Sequence, residues 1–141
     1  MFGMRKTLDI ITLFHKAGLP ASMRAATVLR QASANATEAA TEDQASDHSA
    51  QTNPKRAEFE LDINEHPPTP DQLKTILEYA GKNKIGSIVE GSQTLNEALK
   101  KYKETPESFR YPVIVDWSNG RALHSDNESE ILKMVNQLNN N

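Results

Sequence analysis

The groups that could do chemistry gather around one short segment, His15-Lys16-Ala17-Gly18-Leu19-Pro20-Ala21-Ser22-Met23-Arg24. A helix that begins at Pro20 leaves the first-turn N–H groups of Ala21, Ser22 and Met23 without intrahelical partners, at the positive end of its dipole. With Lys16 and Arg24 beside them, those donors form a candidate site for a small anion, although Pro20 removes one donor. Such an anion gains about 1–3 kcal/mol from a few charge-assisted bonds, which supports only weak, millimolar binding. His15 is an acid–base group near the same loop. Ser22 has no general base beside it in sequence and a helix terminus is too weak to ionise a hydroxyl, so it reads as a capping or exposed serine. His15 and His66 read as structural histidines, because neither is spaced with another His or a carboxylate as metal ligands are; no metal or other cofactor is indicated. The chain contains no Cys, so it has no disulfide, no thiolate metal site and no cysteine nucleophile.

A chain of 141 residues matches one domain, 1–141, with a core large enough to fold without cross-links. The net charge of −3 is mild and both signs are mixed along the chain. That excludes the basic footprint of a nucleic-acid binder and the polybasic patch of a membrane-surface protein. No apolar run is long enough to cross a bilayer. Between Met1 and Thr37 the only acidic residue is Asp9, while Arg5, Lys6, Lys16, Arg24 and Arg30 sit among Ala and Ser. This is the composition of a mitochondrial transit peptide, yet Asp9 to Gln31 also carries elements that the fold needs, so a cleaved presequence would be very short.

The elements that position the loop follow from pattern. Asp9 to His15 is rich in β-branched and aromatic residues and is closed by Gly18 and Pro20, which predicts a buried strand. Pro20 then opens a helix through Ala25, Ala26, Val28 and Leu29. Residues 32–57 contain no large apolar side chain and read as a disordered insertion within the domain. Glu58 to Ile63 alternates, with Phe59, Leu61 and Ile63 on one face of a strand. Thr69 and Gln72 form a capping box around Pro70, Leu73, Ile76, Leu77 and Ala80 give the apolar stripe, and Gly81 ends the helix. Thr94 and Glu97 repeat the box for a helix that buries Leu95, Leu99 and Tyr102. Pro112 to Trp117 and Arg121 to His124 form a hairpin around Ser118-Asn119-Gly120. A last helix is capped by Ser125 and Glu128 and buries Ile131, Leu132, Val135 and Leu138. A parallel first pair and an antiparallel hairpin give an α/β fold with a mixed four-stranded sheet and helices on both faces.

Two segments carry a resemblance. Asn64-Glu65-His66-Pro67-Pro68-Thr69, followed by Asp71, Gln72 and Leu73, resembles the Asn-x-Pro-Pro-Ser/Thr signature of glutathione-dependent arsenate reductases, and Leu13-Phe14-His15 resembles the end of their first strand. Tyr111-Pro112-Val113-Ile114-Val115-Asp116-Trp117-Ser118-Asn119-Gly120 is similar to a small fungal mitochondrial family described as redox proteins. The resemblance implies a thioredoxin-like fold, mitochondrial residence, an oxidoreductase activity on small toxic molecules, and a cis Tyr111-Pro112 bond beside the site. It also puts Leu19 and Ser22 where those families keep a nucleophilic Cys and its resolving residue. Two readings follow: a redox-family protein to which glutathione or a partner supplies the missing sulfur, or a non-catalytic binding module that keeps the fold and its anion-binding helix start. In both, Lys16, Ala21, Ser22, Met23, Arg24, Tyr111 and Pro112 line the ligand site, and Asp116 and Trp117 could mark a binding face.

Overall fold

The computed structural model describes residues 8–42 and 58–136, with side chains over 8–36 and 58–136. β1 (Asp9–Phe14) takes the centre of the sheet because its run of β-branched and aromatic residues can be buried on both faces. It runs parallel to β2 (Phe59–Asn64), in register from Asp9 opposite Phe59 to Phe14 opposite Asn64. On its other edge it pairs antiparallel with β3 (Val113–Asp116), which pairs antiparallel with β4 (Arg121–His124). The strand order is β2-β1-β3-β4.

The two-residue period of the strands divides the core into two layers. Ile11, Leu13 and Ile114 pack under α1 (Pro20–Glu42) and α5 (Glu128–Asn136), against Ala25, Ala26, Leu29, Ile131 and Val135. Phe14, Val113 and Val115 lie on the opposite face under α2 (Pro70–Ala80), the short α3 (Ile85–Ile88) and α4 (Leu95–Glu104). The mixed four-stranded sheet with helices on both faces is therefore as the pattern predicts.

Local signals are met where side chains must satisfy backbone. The Thr69/Gln72 and Thr94/Glu97 capping boxes are both complete, and Gly81 ends α2 at φ 91°. Three readings need correction. Helix α1 continues to Glu42, so residues 32–42 are helix rather than insertion. Ala25, Leu29, Ala32 and Ala36 form a stripe at i, i+4, i+7 and i+11, and Ala32 and Ala36 are 1% and 0% exposed. A search for large apolar residues misses a stripe of small ones, whose high helix propensity and close approach do the same work. The disorder expected for 43–57 and the burial expected for Leu138 lie outside the described residues.

At α5, Asn127 rather than Ser125 accepts the Glu130 N–H, at 3.0 Å. Ser125 Oγ accepts from the Asn127 N–H and donates to the Glu130 carboxylate, so the predicted Ser125/Glu128 box does not form and the cap falls two residues later. In α4 the fully buried positions are Ala98 and Tyr102, with Leu95 and Leu99 half-buried beside them. Finally, the stretch after Gly81, which carries no sequence signal of its own, forms a 3₁₀ turn (Lys82–Lys84) and α3, and Val89 then bridges to Phe109.

The packed extension of α1 has a direct test. Ala32→Asp would bury a carboxylate against the core and is expected to cost about 2 kcal/mol or more. Ala34→Asp, on the exposed side of the same turn, is expected to cost less than about 1 kcal/mol. Equal urea midpoints for the two variants would show that α1 does not pack there.

Candidate functional site

Because β4 is antiparallel to β3 and β3 to β1, strands β1, β2 and β4 all run in the same direction. Each is followed after a short loop by a helix, so α1, α2 and α5 begin at one end of the sheet. The His15–Ser22 loop lies there, and so do the Pro67-Pro68 loop and Pro112, which precedes the residue paired with Phe14.

The loop is fastened from both sides. The His15 N–H donates to the Asn64 carbonyl at 2.9 Å, which ties the ends of β1 and β2. Gly18, at φ 87°, turns the chain, and the Leu19 N–H donates to the Lys16 carbonyl at 3.2 Å. Asn64 Oδ1 accepts the His66 N–H at 2.9 Å, an Asx turn that starts the Pro-Pro segment. The Pro68 carbonyl then accepts from the Tyr102 hydroxyl at 2.7 Å. The Tyr111-Pro112 bond is cis, and His124 Nδ1–H donates to the Pro112 carbonyl at 2.9 Å.

Ser22 is neither an exposed serine nor a helix cap. It is 0% exposed, its Oγ accepts the Lys16 N–H at 2.9 Å, and His15 Nδ1 lies 2.6 Å from the same oxygen. The base that sequence spacing fails to place beside Ser22 is therefore His15, seven residues earlier. A strand end and a first helical turn joined by a short glycine-containing loop come together in this way, and that is the only signal the sequence offers. Burial decides what the pair can do. A hydroxyl with no exposed surface and its oxygen already shared by two groups binds the loop to the helix and offers nothing to a substrate.

The other predicted site residues divide. The Met23 N–H is taken by the Leu19 carbonyl at 2.9 Å, so of the three anticipated donors those of Ala21 and Ser22 remain as first-turn groups. Arg24 points toward the start of α5, where Nε donates to Asp126 Oδ2 at 2.7 Å. It does not serve the first turn of α1, because a carboxylate is a stronger partner than the solvated end of a dipole. That hydrogen bond, helped by the guanidinium charge, holds the half-buried Asp126 carboxyl below the usual carboxylate range against the opposing effect of desolvation. Lys16 and His66 are exposed. Tyr111 is half-buried with its ring 5.0 Å from that of Phe109, and burial raises its phenol above the ordinary value; Tyr102 is raised by burial and then by Tyr111.

Asp116 and Trp117 stand at the opposite end of the sheet and face inward. The buried Asp116 carboxylate accepts from Arg121 Nη2 at 3.1 Å and from Asn119 Nδ2 at 2.9 Å, while Trp117 Nε1 donates to Thr12 Oγ1 at 2.8 Å. They anchor the hairpin rather than mark a binding face. Among the described residues no group of three or more His, Asp or Glu side chains could hold a metal ion, and no helix is long and apolar enough to cross a membrane.

The arrangement defines an α/β protein with a mixed four-stranded sheet and a cysteine-free loop where strand ends meet helix starts. The chain belongs to the family described as "Protein of unknown function (DUF1687)", whose profile matches residues 3–126. It is similar to "Putative redox protein fmp46, mitochondrial" of Schizosaccharomyces pombe (strain 972 / ATCC 24843), at 38% identity over 64 residues, or 45% of this chain. The match covers 53% of that protein, so the chain spans about half the length of the curated relative it matches. No solved structure matches the chain. The relative is mitochondrial by name, the compartment anticipated from the resemblance together with the N-terminal composition.

Two outcomes follow from this geometry. Ser22→Ala leaves the Lys16 N–H and His15 Nδ1 short of a buried partner and is expected to lower stability by about 1–3 kcal/mol in urea unfolding. Because Asp126 has its pKa lowered in the folded state, the Arg24 pair stabilises fully above the ordinary aspartate value, and its contribution disappears as pH falls through the folded one. In Arg24→Gln the Asp126 carboxyl, followed by carbon NMR, is expected to titrate in the ordinary range.

Proposed function

We propose that the chain is a mitochondrial redox-family protein of thioredoxin-like fold that works without a thiol of its own, as a binding module for a small anionic ligand. The ligand surface is the loop from Lys16 to Met23 with Tyr111 and Pro112. Support for the fold comes from the strand order β2-β1-β3-β4, with one parallel and two antiparallel pairs, which is similar to the thioredoxin arrangement. Support for the compartment and the redox family comes from the name of the relative.

The observation that carries the reading is the state of Ser22. This residue stands where the resembling families keep a resolving group, and its oxygen is buried between His15 Nδ1 and the Lys16 N–H. Leu19, at the position of the nucleophile, has nothing to ionise. What the helix start retains is its dipole and the N–H group of the half-buried Ala21, with the exposed Lys16 beside it, while the Ser22 N–H is buried. Glutathione, a peptide with two carboxylates, has the matching chemistry. The name of the relative favours a second reading, in which glutathione bound here supplies the sulfur for reduction of a small toxic molecule. Under that reading the chain positions the thiol and does not itself carry it.

Amide shifts recorded during glutathione titration separate these cases. Movement of Ala21 and Ser22 at millimolar ligand is expected, together with no turnover of insulin disulfide or arsenate above the glutathione blank. Shifts confined to other residues would place the ligand elsewhere, and turnover proportional to protein would establish the second reading. The helix start itself is probed by Leu19→Cys. A thiol there is expected to titrate well below the free value near 8.5, within about 3.5–7.5, in pH-dependent alkylation. An unshifted thiol would remove the electrostatic basis of the site.

A further inference from the structure

The geometry points to Asn119-Gly120 as a site of covalent modification, at which spontaneous deamidation is held back by two buried carboxylates and, once it occurs, releases the β3–β4 hairpin. The sequence Asn-Gly is the one that most readily closes a succinimide, because glycine has no side chain to obstruct attack by its own nitrogen. The turn requires the glycine of this dipeptide. Gly120 sits at φ 65°, a left-handed conformation that other residues adopt at a cost, and a Cβ there would lie 3.5 Å from the Tyr79 ring.

Asn119 is exposed at the turn, yet its side-chain amide reaches inward. Nδ2 donates to Asp9 Oδ2 at 3.0 Å and to Asp116 Oδ2 at 2.9 Å, and the Asn119 N–H donates to Asp116 Oδ1 at 3.2 Å. Asp9 and Asp116 are both buried, and they belong to β1 and β3. One neutral amide thus bridges two carboxylates from neighbouring strands, using both of its hydrogens. The reaction begins when the Gly120 nitrogen, having lost its proton to base, attacks Asn119 Cγ. The Cγ–Nδ2 bond breaks, nitrogen departs as ammonia, and a five-membered imide remains. Water then opens the imide at Cγ to give aspartate, or at the backbone carbonyl to give isoaspartate. The sum is amide plus water giving acid plus ammonia, with no oxidant or reductant.

Both hydrogen bonds of Nδ2 must break before Cγ can swing onto the Gly120 nitrogen, so the clamp slows the first step. The product reverses the sign of the contact. A donor becomes an acceptor, and a third carboxylate faces Asp9 and Asp116, beside the Arg121 Nη2 that already pairs with Asp116.

Timed incubation of the full chain at mildly alkaline pH, followed by peptide mapping, tests this. The amide-to-acid mass gain is expected at Asn119 ahead of every other Asn, with isoaspartate in the product. It should be about tenfold faster in Asp9→Ala, the factor set by losing one charge-assisted bond. Asn119→Gln should abolish it while the fold persists. Asn119→Asp, made directly, should lower the thermal midpoint, which keeps the consequence testable if Asp9→Ala fails to fold. Equal rates in wild type and folded Asp9→Ala would overturn the clamp. Mass gain elsewhere first would overturn the site, and an Asn119→Asp protein as stable as wild type would overturn the release.

Discussion

Strand β1 is hydrogen-bonded along both edges and buried on both faces, and the rest of the molecule is arranged around that condition. Ile11 and Leu13 supply the floor for α1 and α5, while Phe14 supplies it for α2 and α4. A strand held in this way cannot slip by one residue without exchanging its two apolar sets, so its register is rigid. The rigidity passes to the first residue beyond it. His15 is fixed by its backbone bond to Asn64 and by its ring against Ser22, and α1 is thereby set at one angle to the sheet.

That anchoring explains why a serine suits this helix start. A hydroxyl can accept from a backbone N–H and share a hydrogen with an imidazole in the same small space, and neither bond needs ionisation. A thiol would make both contacts poorly and at longer range. The loop is tuned for holding its own shape, and the first-turn donor of the half-buried Ala21 is what it leaves for a ligand, Ser22 being wholly buried. Arg24, which charge alone would assign to that ligand, is drawn instead to Asp126, whose carboxylate meets it across the start of α5.

What the sequence reveals depends on how local the cause is. The boxes at Thr69/Gln72 and Thr94/Glu97, the alternation of Phe59, Leu61 and Ile63, and the Asn119-Gly120 turn each arise within a few residues, and each is legible. The length of α1 is not, because its buried positions beyond Leu29 are alanines that mean nothing until a surface is laid against them. The cap of α5 is misjudged for a related reason. Ser125, Asp126 and Asn127 are all able to cap, and the choice falls to Asn127 only because Arg24 takes Asp126 and Glu130 takes the Ser125 hydroxyl. At the site, sequence finds the helix start and the cis bond through resemblance. The His15–Ser22 contact belongs to the folded loop alone.

The shared direction of β1, β2 and β4 has an electrical consequence. Three helices of eight or more residues begin on the same side of the sheet, and each brings the equivalent of about half a positive charge to that side. These three have the same sense, whereas α4, which starts beside the end of α2 and brings Tyr102 to the Pro68 carbonyl, runs the other way and offsets one of them. A chain of net charge −3 therefore carries a separation of charge along the strand direction, and net charge alone does not describe how it meets a charged surface. As far as the backbone is concerned, the end that carries the His15–Ser22 loop is the positive one.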